Sequence, residues 1–205
     1  MDQTKVLVLG HSFVRRLEAD LTGSWTNLGF DSDLVRVHCV GRRGDRVHDI
    51  LSTMSQSIVD IKPKVVLLQI GGNDLDSVNF TEVQGRLARD LHSIAQWLRE
   101  GYSVREAGVM QLFYRAKTRS IAVETYNRSV DAVNSEIKRL CEESEDCFYW
   151  RHKGLKTDAF DCLNKDGVHL SRAGLRKYKY SGRGAVLQGI RLADRDKSEP
   201  RDISL

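Results

Sequence analysis

Four short segments carry side chains suited to moving a proton and steadying an anion: Gly10-His11-Ser12, Gly41-Arg42-Arg43-Gly44-Asp45, Gly71-Gly72-Asn73-Asp74 and Asp166-Gly167-Val168-His169. A serine is a weak nucleophile until an adjacent base takes its proton. His169 is such a base. Asp166, three residues earlier on a turn, would fix the imidazole tautomer and leave the other ring nitrogen for the Ser12 proton. Gly44 lets a backbone N–H approach a bound oxygen, and Asn73 offers a side-chain amide to a developing oxyanion. Each segment also has a plainer reading. Ser12 would cap a helix, Gly44 would turn the chain, Asn73 would close an Asx-turn, and Asp166 would start a surface turn before a partly buried histidine. Their coincidence at the ends of expected strands favours the chemical reading, a serine nucleophile acting through an acyl-enzyme.

The elements that must position these groups follow from hydrophobic pattern. Lys5–Leu9 and Lys64–Ile70 are continuous apolar runs, as expected of strands buried on both faces. Leu34–Val40, Arg105–Phe113 and Phe148–Trp150 complete five predicted strands. Between them, Phe13–Leu21, Val47–Ile61, Thr81–Glu100 and Ile121–Ser144 repeat apolar residues at helical spacing, with Leu51 in the second of these stripes. Ser171 opens a final helix. Strands alternating with helices imply right-handed crossovers and a parallel sheet covered on both faces. The expected fold is α/β: a flavodoxin-like three-layer sandwich with a five-stranded parallel sheet in the order 2-1-3-4-5. Ligands of such sheets bind beyond the carboxyl ends of the strands, where all four segments fall. One domain over residues 1–191 is expected, followed by a loose polar tail over 192–205.

The chain has 205 residues, 40% of them hydrophobic, and a formal charge of +4, which permits anionic partners without demanding nucleic acid. None of the four cysteines forms a CxxC pair or a zinc-like spacing with histidine, so no cysteine zinc site is expected. Cys141 and Cys147 could pair in an oxidising compartment. The short apolar run near the N-terminus does not match a signal peptide, and no stretch approaches a membrane span. The expectation is therefore a soluble, cytoplasmic protein with reduced thiols.

The four segments resemble the SGNH hydrolases, also called GDSL-type lipases and esterases, over roughly residues 5–185. The family's four letters fall on Ser12, Gly44, Asn73 and His169, with Asp166 as the third member of the triad. The resemblance implies a Ser-His-Asp esterase whose oxyanion hole combines the backbone N–H groups of Ser12 and Gly44 with the Asn73 side chain, and no cofactor. The chain departs from the family at His11, where the usual motif has an aspartate. A narrower likeness, carried by Gly10-His11-Ser12-Phe13, Asp166–Ser171, Gly174–Tyr178 and Ser181–Val186, is to the esterase domains of animal non-LTR retrotransposon proteins.

Arg15, Arg16, Arg42, Arg43 and Arg46 lie close in sequence to the proposed site, and Arg172, Arg176, Lys177, Lys179 and Arg183 follow it. They form either a rim that favours an anionic ester or an anionic membrane surface, or a plain solvated face. The connection from Trp150 to Lys165, with Phe160 and Leu163, is long enough to wall an acyl pocket, and its His152 is a rival base. Hydrolysis of a short acyl or acetyl ester is the leading expectation, with lipid acyl chains and acyl transfer to an alcohol also open. The alternative is a catalytically silent fold serving as a basic nucleic-acid- or membrane-binding module. The oligomeric state is not legible.

Overall fold

The computed structural model describes residues 3–155 and 160–195, apart from the side chains of Leu51, Thr53 and Phe160. The expected strands form, in chain order, as β1 (Thr4–Gly10), β2 (Val35–Gly41), β3 (Val65–Gln69), β4 (Glu106–Met110) and β5 (Phe148–Trp150). All pair in parallel, in the order β2-β1-β3-β4-β5. The helices are α1 (Ser12–Ala19), α2 (Asp49–Ile61), α3 (Gly72–Leu75), α4 (Phe80–Tyr102), α5 (Val123–Glu143) and α6 (Arg172–Arg195).

Side-chain alternation along each strand builds two cores. Leu7, Leu9, Val66, Leu68 and Val109 point to one face, where α2, α4 and α5 cover them with Ile50, Met54, Leu91, Leu98, Val130 and Ile137. Val6, Val8, Val65, Leu67 and Met110 point to the other, under α1 and α6. This is why the central strands read as unbroken apolar runs: both faces are dry.

Register sets the site. Gly10 is level with Gly41 on one side and with Gln69 on the other, so β1, β2 and β3 release the chain at one edge of the sheet. Residues 12, 44 and 73 follow those exits within a few positions.

Two short elements carried no periodic signal. Residues 23–29 form a 3-10 segment in which Asn27 and Leu28 take left-handed backbone angles. The Asn27 amide bonds to Phe30 O, Val35 O and Val37 N, which clamps the segment onto the edge strand β2. Gly72–Leu75, expected as a tight exit, winds into the single turn α3.

Two expectations are corrected. The tail was placed from residue 192, but α6 continues through Arg195 with Ala193 buried under it. The polar pattern misled because one face of that last turn packs on the sheet; residues 196–205 lie outside the described residues. The thiols were expected reduced, whereas Cys141, near the end of α5, is disulfide-bonded to Cys147, just before β5; Cys39 and Cys162 are free and buried. No helix among the described residues is long and apolar enough to cross a membrane.

Candidate active site

Ser12 is the first residue of α1. Its backbone N–H lies in the first helical turn, where no carbonyl of the helix can accept it. His11 caps the helix: its Nδ1 accepts the Phe13 N–H at 3.5 Å, a long bond. Burial, followed by the nearby charges of Arg115 and His169, lowers the His11 pKa to about 3, so the ring stays neutral. His11 thus fills a cap position beside Ser12 without adding charge.

Ser12 Oγ lies 3.0 Å from His169 Nε2, and His169 Nδ1 lies 2.8 Å from Asp166 Oδ2. An ionised carboxylate only accepts, so Nδ1 carries the proton and Nε2 accepts from the serine. Burial alone would raise the Asp166 pKa. Backbone N–H groups of His169 and Val168, both bonded to Oδ1 at 2.9 Å, and the His169 ring overcome this and hold it down to about 2.

The turn that presents Asp166 and His169 is fixed from both sides. Gly167 N donates to Asn164 O, and Asn164 N donates to His169 O. Gly167 O accepts from Ala116 N at 2.7 Å and Lys117 N at 3.2 Å, which ties the turn to the loop after β4. Gly167 has φ of +68°, and a Cβ there would lie 2.9 Å from Lys117 N, so both backbone angle and space require glycine. The edge of the Phe13 ring packs against His169, with centroids 6.0 Å apart.

Asn73 sits on α3 with both ends of its amide engaged. Nδ2 donates to Asp45 O at 2.9 Å, and Oδ1 accepts from Arg115 Nη2 at 2.8 Å. A guanidinium only donates, so the oxygen must face Arg115 and the NH₂ the other way, with one N–H left beyond the Asp45 bond. Arg115 also pairs with Asp76 at 3.0 Å, both side chains being nearly fully buried. Asp76 in turn accepts from the backbone N–H groups of Arg119 and Ser120. Arg115 and Asp76 were missed by sequence reasoning. A lone arginine 42 residues from Asn73 carries no local pattern, and only the β3–β4 pairing brings the two together. Asp74, the next residue, accepts the Val47 N–H with both oxygens, and burial raises its pKa to about 6.

Ser12, Gly44, Asn73 and His169 open onto one cleft of about 480 Å³, which Arg43, Arg46 and Arg119 also line. Gly44 is exposed there with φ of +81°. A larger hollow of about 710 Å³ lies at the opposite edge of the sheet, against Glu106 and Phe148 where β4 and β5 begin, and contains none of these groups. Among the described residues, no cluster of three or more His, Cys, Asp or Glu side chains is arranged to hold a metal ion.

The basic rim is smaller than the sequence suggests. Lys179 pairs with Asp20 and lies over the Trp25 ring, and Arg183 lies over the Phe30 ring and donates to Leu28 O, so both hold α6 against residues 20–30. The rival base His152 is not at the site. Its Nδ1 bonds to Ser181 Oγ and its Nε2 to Gln69 Oε1, each at 2.9 Å, and burial lowers its pKa to about 3. It belongs to a satisfied polar network beneath Phe113 and Tyr178. Of the connection expected to wall an acyl pocket, residues 156–159 and the Phe160 side chain lie outside the described residues.

Comparison with known proteins bears on the fold and the family. None of the curated proteins compared matches the chain in sequence. Among solved structures, a GDSL-like lipase from Bacteroides thetaiotaomicron superimposes with a TM-score of 0.71 at 12% identity, covering 90% of this chain and 88% of that one. A catalytic mutant of an acetylxylan esterase from Geobacillus stearothermophilus gives 0.64 at 18% identity, with 88% and 94% covered. An alpha/beta hydrolase from the metagenome of Lake Arreo, Spain, gives 0.64 at 17% identity, with 89% and 94% covered. At these identities the likeness is one of fold. The sequence model of the GDSL-like lipase/acylhydrolase family matches residues 8–177, and the chain belongs to that family of carboxylic ester hydrolases.

Proposed function

We propose that the protein is a serine esterase in which Ser12, His169 and Asp166 form the triad. The observation that carries this reading is the unbroken relay of 3.0 Å from Ser12 Oγ to His169 Nε2 and 2.8 Å from His169 Nδ1 to Asp166 Oδ2. Ser12 Oγ attacks the ester carbonyl as His169 Nε2 takes its proton. The carbonyl oxygen, now anionic, is held by the N–H groups of Ser12 and Gly44 and the remaining N–H of Asn73. Collapse expels the alkoxide, which receives the proton from His169. A water, deprotonated by the same ring, then cleaves the acyl-enzyme and restores Ser12. Asp166 stays ionised and steadies the imidazolium.

A short acyl group, acetyl or slightly larger, is the substrate best suited to this cleft, whose lining residues are mostly polar, with Val168 its one aliphatic side chain among the described residues. A fluorophosphonate probe tests the nucleophile directly. Peptide mapping should place the adduct on Ser12, and the Ser12→Ala protein should stay unlabelled. Labelling elsewhere, or none, would count against the reading.

A further inference from the structure

The arginines of the cleft are unequal. Arg115 is buried and neutralised by Asp76, whose oxygens are further occupied by two backbone N–H groups. Arg43, Arg46 and Arg119 are exposed, line the same cleft, and have no carboxylate within ion-pair distance of their side chains among the described residues. Of the carboxylates nearest the cleft, Asp74 feels the Arg46 charge, but neither it nor Asp166 forms an ion pair with any of the three. Asp166 is committed to His169, and Asp74 is turned inward to Val47 N with its proton affinity raised by burial. Three guanidinium groups therefore share a concave surface with the nucleophile and the oxyanion donors. They come from two different loops, those after β2 and β4, so the excess charge is a property of the cleft and not of one basic stretch.

We propose that this cleft selects esters bearing an anionic group, a carboxylate or phosphate, held by Arg43, Arg46 and Arg119 while the ester carbonyl lies over Ser12. The inference rests on the esterase reading and names its substrate class. Guanidinium forks suit planar or tetrahedral oxyanions, and a concave site of one sign concentrates ions of the other. The bond that breaks is the ester bond alone; the anionic group is a handle and undergoes no reaction.

The test compares 4-acetoxybenzoate with its neutral methyl ester, and mono-4-nitrophenyl succinate with 4-nitrophenyl acetate. The first pair puts the charge on the leaving group and the second on the acyl group. At least one pair should show a higher kcat/KM for the anionic member. Glutamine at Arg43, Arg46 or Arg119 should lower that ratio about fivefold per site, the worth of one charge at ~4 Å in water. Raising the salt should lower the ratio in the same direction. Arg36→Gln, which removes an exposed charge from β2 outside the cleft, should leave it in place. A ratio near one in both pairs, or one that the three substitutions do not move, overturns the proposal. A separate arm is independent of catalysis: calorimetric titration of the Ser12→Ala protein with 4-acetoxybenzoate and with its methyl ester. Tighter binding of the acid, lost in the triple glutamine variant, supports the anion site even if turnover is absent. Equal binding refutes it.

Discussion

Arg115→Met separates the positioning of Asn73 from its chemistry. The guanidinium makes two bonds that matter, to Asn73 Oδ1 at 2.8 Å and to Asp76 at 3.0 Å. Its loss leaves Asp76 buried without a counter-charge, which costs about 3–5 kcal/mol when one partner of a buried pair is removed. The lower end applies here, because Asp76 keeps the N–H groups of Arg119 and Ser120. For activity, complete loss of an oxyanion donor costs ~100- to 1000-fold in kcat. In Arg115→Met the Asn73 amide remains, still tethered to Asp45 O, but its other end is unheld. We expect kcat to fall ~10- to 100-fold, or ~1.4 to 2.7 kcal/mol. The assay is a double-mutant cycle on ester hydrolysis with Asn73→Ala, run well below the melting temperature of each variant. If Arg115 acts through Asn73, adding Arg115→Met to Asn73→Ala lowers kcat by less than ~3-fold. Arg115→Lys should recover much of the stability by pairing with Asp76 but little of the activity, since an ammonium does not span both acceptors as the fork does. Multiplicative effects in the cycle, or a lysine variant that regains both properties together, would refute the argument.

Other outcomes follow from the same contacts. Gly167→Ala forces a side chain into left-handed backbone and against Lys117 N; a loss of ~1–3 kcal/mol in denaturant unfolding is expected, with kcat reduced because the Asp166–His169 turn shifts. Asp166 has a folded pKa of about 2, below its unfolded value of 3.8, so its contribution to stability is complete above about pH 4 and is lost as pH falls toward 2. The melting-temperature gap between wild type and Asp166→Asn should therefore close over that interval, and a gap that widens there would contradict the assignment. His152→Phe takes one hydrogen bond each from Gln69 Oε1 and Ser181 Oγ, whose side chains keep the Gln69 Nε2–Gln111 O and Trp150 Nε1–Ser181 Oγ bonds; stability should drop by about 1–3 kcal/mol while substantial esterase activity remains, in contrast to His169→Ala.

The sheet was legible because its central strands are dry on both faces, so Lys5–Leu9 and Lys64–Ile70 admit no amphipathic alternative. The same pattern placed the four segments at the strand ends and thus anticipated the approach of Ser12 to His169 across 157 residues. What stayed hidden depends on long-range pairing. Arg115 and Asp76 carry charges that read as solvated until the fold buries them, and Asn27 reads as an ordinary turn residue until its amide is seen to satisfy the edge of β2. His152 looked like a second base because sequence cannot show that Gln69 and Ser181 already occupy both ring nitrogens. The basic residues of α6 were over-assigned to the rim for a related reason: helical spacing divides them among faces, and Lys179 and Arg183 fall on the one that packs against residues 20–30. The helix end was misjudged because a polar last turn needs only one small residue, Ala193, to dock on the sheet.

The central claim is that Ser12 and His169 act as one unit on an ester carbonyl. The most direct measurement is rapid-mixing hydrolysis of 4-nitrophenyl acetate by the wild type, Ser12→Ala, His169→Ala and the double variant, each checked for folding by circular dichroism. The account predicts nitrophenol release by the wild type and a drop of ~10⁴-fold or more in either single variant. It also predicts no further loss in the double variant, as for residues of a single catalytic unit. Turnover that survives Ser12→Ala, or single effects that multiply in the double variant, would contradict it.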